Sequence, residues 1–158
     1  MPVYLGDPLP KLHQITTLEK DGYNDHELTS VMHVGTHMDA PLHMIQNGKT
    51  IEKGSIVLVY TDFGKNYRNK KYYENVPNIT KAFAEEMVKA QVKIIGMDIL
   101  GPDAPPFPTH KILLGNSILI IENLVNLEKL LDIPNFEVIA LPMKLQADAS
   151  WVRVVAVY

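Results

Sequence analysis

The segment VMHVGTHMDAPLHM, residues 31–44, holds His33, His37, Asp39 and His43, half of the six histidines in the 158-residue chain. It also holds Gly35 and Pro41, which decides how it is read. A helix would put His33 and His37 on one face, since residues four apart are neighbours there. Gly35, Asp39 and Pro41 all disfavour a helix interior. In a straight strand His37 and Asp39 would lie about 6.6 Å apart along the chain, close enough to share an ion, but His33 and His37 would be about 13 Å apart. A bend removes that obstacle. Gly35 has no side chain, so it can turn the backbone and leave room between the flanking groups. The expectation is a bent segment centred on Gly35 and Thr36 that gathers two imidazoles and a carboxylate.

The rest of the chain limits what those groups can hold. It has no cysteine, so neither a disulfide framework nor a thiolate metal site is possible. Any ion must be taken by nitrogen and oxygen, a ligand set suited to Zn²⁺ or Mn²⁺. The formal net charge is −3, and the only basic cluster, Lys65–Lys71, reads as a solvated loop, so a nucleic-acid partner is not expected. No apolar run reaches the roughly 18 residues that span a bilayer. The opening MPVYLGDPLP has three prolines and no apolar core, so it is not a signal peptide, and the expected compartment is the cytoplasm. Apolar residues make up 46% and charged residues 21%, as in an ordinary folded domain. The length fits one domain, and no repeat or linker divides it.

The expected elements alternate. Residues 1–30 read as irregular, with a short extended piece at Gln14–Leu18. Strands are expected at Ser55–Thr61, Val92–Asp98, Ser117–Glu122, Phe136–Pro142 and Trp151–Tyr158, all apolar and β-branched. Thr80 reads as the N-cap of an amphipathic helix carrying Phe83, Met87 and Ala90 and ending near Gln91. Gly64–Pro77 and Gly101–Pro108 read as loops, and Leu124–Leu131 as a short helix before Pro134. The class is therefore α/β, a single domain with a mixed sheet and few helices.

At this point the chain resembles a known family. His33-x-Gly35-Thr36-His37-x-Asp39-x-Pro41-x-His43 matches the H-x-G-T-H-x-D-x-P-x-H signature of the cyclase-like metal-dependent hydrolases, which include bacterial kynurenine formamidase and isatin hydrolase. PVYLGDP resembles the family's P-V-[YW]-P-G-D segment, with Leu5 in place of a proline. IIGMD, THKILLGNSILIIENLVNL and LPMKLQADASWVRVVAV resemble further family elements, with Trp151 where the family has proline. The stretch Lys49–Gly54 is shorter than the strand–loop–helix that family members carry there.

The resemblance implies the swivelling β/β/α fold and a set of roles. His33, His37 and Asp39 would hold one metal. Asp39, His110 and Glu122 would hold a second, with Asp39 and Glu122 shared. His43 would shuttle protons, and Tyr4 would line the substrate pocket. Zinc, one or two ions per chain, is expected ahead of manganese. Glu122 gains independent support, because a carboxylate ending an apolar strand is costly unless paired or metal-bound. His13 and His26 match nothing and read as surface residues. A bound cation can lower the pKa of water from 15.7 to about 7, which outweighs what a single general base supplies. The implied activity is metal-hydroxide attack on an amide, as in an arylformamidase acting on N-formylkynurenine-like substrates. The alternatives are hydrolysis of a cyclic amide such as isatin, and a non-catalytic metal-binding protein of the same fold. A small-molecule substrate and a homodimer are the partners the resemblance implies.

Overall fold

A computed structural model describes residues 3–39, 43–44 and 56–158. Lys49–Gly54, Ser55 and Ala40–Leu42 therefore lie outside the described residues. Among these residues the chain folds as a mixed α/β domain around a six-stranded sheet in the order β4-β5-β6-β3-β8-β7. The strands are β3 (His37–Asp39), β4 (Ile56–Val59), β5 (Ile94–Met97), β6 (Leu119–Glu122), β7 (Glu137–Pro142) and β8 (Ala149–Val157). β4, β5 and β6 run parallel. β3 is antiparallel to both β6 and β8, so this three-residue strand is paired on both edges.

The parallel strands read as unbroken apolar runs because both of their faces are covered. On one face Ile95, Met97 and Ile120 pack with Ala84 of helix α2 (Lys81–Lys89) and with Leu113 and Leu114 of helix α3 (Pro108–Gly115). On the other face Met38, Ile94, Leu119 and Ile121 pack with Leu124, Leu127 and Val152. Thr80 caps α2 as expected, its hydroxyl accepting from the Phe83 N–H at 3.2 Å. Among the described residues no helix is long and apolar enough to cross a membrane.

Three readings of the sequence change. The first thirty residues are more ordered than expected: β1 (Lys11–Thr16) and β2 (Asp25–Thr29) form an antiparallel hairpin around a single helical turn, α1 (Leu18–Asp21). Both hairpin faces are exposed, so the strands lack the clean apolar alternation that betrays a half-buried one. His13 lies there against Glu27, and both are exposed, as a surface residue should be. The polar loop after β4 contains two 3₁₀ turns, Phe63–Asn66 and Lys70–Tyr73, and Tyr72 is completely buried. Its hydroxyl donates to the Asn123 side-chain oxygen at 2.7 Å, which ties the loop to the end of β6. The third change is α3. Its start is hidden by prolines, yet Pro108 sits at the first helical position, where a missing N–H costs nothing.

Candidate metal centre

Sheet register assembles the first part of the site. His37 lies directly opposite Glu122, and Met38 opposite Ile121. Directly paired residues share a face, and alternate residues along a strand do too. His37, Asp39 and Glu122 therefore point to one side, while Met38 and Ile121 go into the apolar layer on the other. Gly35 takes φ +67°, in the left-handed region that favours glycine. The chain turns there as expected, and His33 returns over β3 to place its Nδ1 3.1 Å from His37 Nε2. His110 arrives from the first turn of α3.

The five groups interlock around two carboxylates. Asp39 Oδ1 is 3.0 Å from His33 Nδ1 and 3.3 Å from His37 Nε2. Its other oxygen, Oδ2, is 3.9 Å from His110 Nε2. Glu122 repeats the pattern: Oε2 is 3.4 Å from His37 Nε2, and Oε1 is 3.5 Å from His110 Nε2. Each carboxylate thus faces both nitrogen sets. His33, His37 and Asp39 form one group with cation-holding spacing, and Asp39, His110 and Glu122 form another. Donor atoms about 2.0–2.1 Å from a tetrahedral Zn²⁺ stand roughly 3.3 Å from one another, the scale of these separations.

The second nitrogen of each histidine fixes which lone pair faces inward. His37 Nδ1–H donates to the Gly35 carbonyl at 2.9 Å, leaving Nε2 as an acceptor. His33 Nε2 lies 3.0 Å from Asp148 Oδ2, leaving Nδ1 inward. His110 Nδ1 is held by Asp103, which also accepts the Thr109 N–H at the start of α3. Such outer partners orient metal-binding imidazoles and set their tautomer. Asp103 and Asp148 were not singled out from the sequence. Asp103 sits in a proline-rich loop, and Asp148 is one acid in an otherwise plain QADAS stretch. For Asp148 the signal was its place in the tail stretch LPMKLQADASWVRVVAV that resembles a family element.

The donor set fits a divalent cation. Both Asp39 oxygens are buried with only imidazole nitrogens close to them, and the residue is 1% exposed. A buried carboxylate in that state is costly unless a positive charge is added. Gly101 keeps the Glu122 flank clear: a Cβ there would stand 2.8 Å from Glu122 Oε1 and crowd the carboxylate. Protonation shows the same demand. Burial alone would lower His37, but Asp39 and Glu122 outweigh it and hold it up at about 9. His33 and His110 are likewise raised against burial, by Asp39 and by Glu122 respectively. Burial would raise Asp39, but His33 and His37 hold it below the usual carboxylate range. Burial and the charge of Asp39 push Glu122 up.

A pH dependence follows. Cation binding must expel protons from the raised histidines. Apparent metal affinity should rise with pH and level off only near 9, set by His37, with protons released on binding. Titration calorimetry of the metal-free protein in buffers of different ionisation enthalpy measures both quantities. A pH-independent affinity with no proton release would contradict the assignment.

Beside the cluster lies an open cavity of about 560 Å³. His43 lines it, with its ring 3.9 Å from that of His33 and its Nδ1 3.7 Å from Asp148 Oδ2. Burial, together with His33 and His110, lowers its pKa below the ordinary imidazole value, which favours its neutral form at pH 7. Tyr4 lies on the cavity wall, 46% exposed. The fold thus brings His33, His37, Asp39, His43, His110, Glu122 and Tyr4 around one space at the carboxyl ends of parallel strands β5 and β6, the usual place for ligands in such sheets.

The chain resembles known proteins in sequence and in fold. The Cyclase family model matches residues 1–53 and 44–104. An uncharacterized protein of Methanocaldococcus jannaschii is 32% identical over 98% of this chain and 92% of its own length. A kynurenine formamidase of Bacillus thuringiensis is 29% identical over 87% of this chain and 81% of its own length. Among solved structures, an isatin hydrolase bound to the product analogue thioisatinate superposes with a TM-score of 0.77 at 22% identity, covering 95% of this chain and 82% of that one. A potential metal-dependent hydrolase with cyclase activity gives 0.61 at 24%, covering 98% and 92%.

Proposed function

The chain belongs to the Cyclase family, and from that membership and its site we propose that it is a metal-dependent amidohydrolase acting on aryl formamides of the N-formylkynurenine kind. The observation that carries this reading is the pair of buried carboxylates, Asp39 and Glu122, each facing two separate nitrogen sets. His33, His37 and Asp39 would hold one cation, and His110 would hold a second with the shared carboxylates. A cation bound there supplies Lewis acidity, making water acidic and polarising a carbonyl. The remaining work falls to the chain's own side chains. Water adds to the formyl carbon, the C–N bond breaks, and the amine nitrogen must gain a proton as it leaves. Neutral His43, lining the cavity beside the cluster, takes the proton from the water and returns it to that nitrogen. Asp148 Oδ2 stands 3.7 Å from the ring's Nδ1, which leaves Nε2 to face the substrate. Tyr4 and the apolar wall accept the aryl group.

A second reading, opening of a cyclic aryl amide such as isatin, uses the same groups and draws on the fold shared with the isatin hydrolase. Parallel assays of the zinc- and manganese-loaded protein on N-formylkynurenine, formanilide and isatin test both. Formate release supports the first reading, and ring opening alone supports the second. Full metal occupancy with no turnover of any of the three would leave a non-catalytic binding protein.

A further inference from the structure

Asn123 follows Glu122 directly, and no step of the proposed chemistry uses it. It is buried and takes φ +58°, in the left-handed region that asparagine enters more readily than most residues. All of its polar groups are engaged. Its N–H donates to the Ile99 carbonyl at 3.0 Å, and its carbonyl accepts the Thr36 hydroxyl at 2.8 Å. Its side-chain Nδ2 donates to the Gly35 carbonyl at 3.0 Å, and its Oδ1 accepts the Tyr72 hydroxyl at 2.7 Å. The direction of the amide follows from its partners. A carbonyl only accepts, so the NH₂ end must face Gly35 and the oxygen end must face a donor. Tyr72 is that donor: burial and the charge of Glu122 push its pKa up, so the hydroxyl keeps its proton.

The Gly35 carbonyl is also the oxygen that holds His37 Nδ1–H at 2.9 Å. A buried chain of hydrogen bonds therefore runs from Tyr72 through Asn123 and the Gly35 carbonyl to His37. Neither Tyr72 nor Asn123 is among the described groups that line the cavity or could hold a cation. We infer that Tyr72 and Asn123 are positioning residues for the metal centre: together they latch the Gly35 carbonyl, which keeps the His37 ring turned with Nε2 toward Asp39 and Glu122. The inference goes beyond the amidohydrolase reading but rests on its metal centre. The physical basis is the outer partner of a metal-binding imidazole, which fixes its tautomer and orientation. Here that partner is a backbone carbonyl at a glycine bend, where the chain is least restrained by its own sterics. The Nδ2 bond and the Thr36 bond hold the bend against the end of β6. The Tyr72 hydroxyl in turn keeps the amide from rotating away.

Two variants test the latch. Tyr72→Phe removes one hydroxyl and keeps the ring. Asn123→Gly removes the amide but keeps a backbone that reaches positive φ, and with it the bonds to Ile99 and Thr36. Zinc affinity is measured by competition with a chromophoric chelator, and ligand geometry by the visible spectrum of the cobalt-loaded protein. Asn123→Gly should weaken zinc binding by about tenfold or more, the usual cost of losing an outer partner, and Tyr72→Phe by about threefold or more. The double variant should bind within about twofold of Asn123→Gly, because the hydroxyl acts through the amide and the two effects do not add. Both single variants should shift the cobalt spectrum. Thr80→Ala, which removes the cap of α2, supplies the control: it should lower the melting temperature of the metal-free protein and leave zinc affinity and the cobalt spectrum as in the parent. Lowered melting temperatures in Tyr72→Phe and Asn123→Gly, with zinc affinity and cobalt spectrum unchanged, would make the pair a structural anchor and overturn the latch. A parent that takes up neither zinc nor cobalt would overturn the metal centre and the latch with it. A metal-loaded parent without turnover, whose variants still bind zinc more weakly, would overturn the amidohydrolase reading and leave the latch standing.

Discussion

Asp39→Asn should cost the protein its metal and its activity together. The substitution keeps the size of the side chain and removes the charge between the two nitrogen sets. Outer-shell partners of a metal site typically cost 10–100-fold in affinity or activity when lost, so a shared inner carboxylate should cost at least about 10³-fold in kcat/KM. Asp39 faces all three imidazoles of the cluster: Oδ1 faces His33 and His37, and Oδ2 faces His110. In the metal-free protein the same change should lower the raised pKa of His33 and His37, because Asp39 is the largest of the groups that offset their burial. Histidine NMR titration can follow that shift without any cation. A variant with an unchanged circular dichroism spectrum, no bound metal and no turnover is the expected result. Full metal content in Asp39→Asn would show that the carboxylate is structural.

His43→Ala should separate what Asp39→Asn joins. His43 lies beside the cluster, its ring stacked near that of His33, but neither carboxylate of the bridged pair closes on it. The variant should bind metal as the parent does and lose about 10²–10⁴ in kcat, the usual share of a general acid–base. The acid limb of the pH–rate profile should disappear with it. That limb lies below the ordinary imidazole range, since burial, helped by His33 and His110, lowers His43. Activity on a formamide with a very good leaving group should fall least, because that nitrogen needs a proton least. Loss of metal together with activity would make His43 a ligand and remove the shuttle.

Much of the site was legible in the sequence because one short segment carries most of it. Histidines at 33 and 37, an acid at 39 and a glycine between them force a bend, and the bend is there at Gly35. Glu122 was legible from its cost, a carboxylate ending the apolar run Leu119–Ile121. His110 could not be separated from a surface histidine by local pattern alone. Prolines at 105, 106 and 108 read as loop, and they conceal a helix that begins at Pro108. Its anchor Asp103 was invisible for the same reason. Asp148 reaches His33 across 115 residues of sequence, a distance that no spacing rule covers. Tyr72 was hidden by its charged neighbours: Lys70 and Lys71 mark the loop as solvated, while the ring that follows them is fully buried. The missing readings share a cause, since each depends on a partner far along the chain rather than on local periodicity.

The most direct test of the whole account is the number of divalent cations per chain in protein purified without added metal, by elemental analysis, with a crystal structure collected at the absorption edge of the metal found. Two ions are expected, one among His33, His37 and Asp39 and one among Asp39, His110 and Glu122. Anomalous density absent from both positions in metal-saturated protein would contradict it.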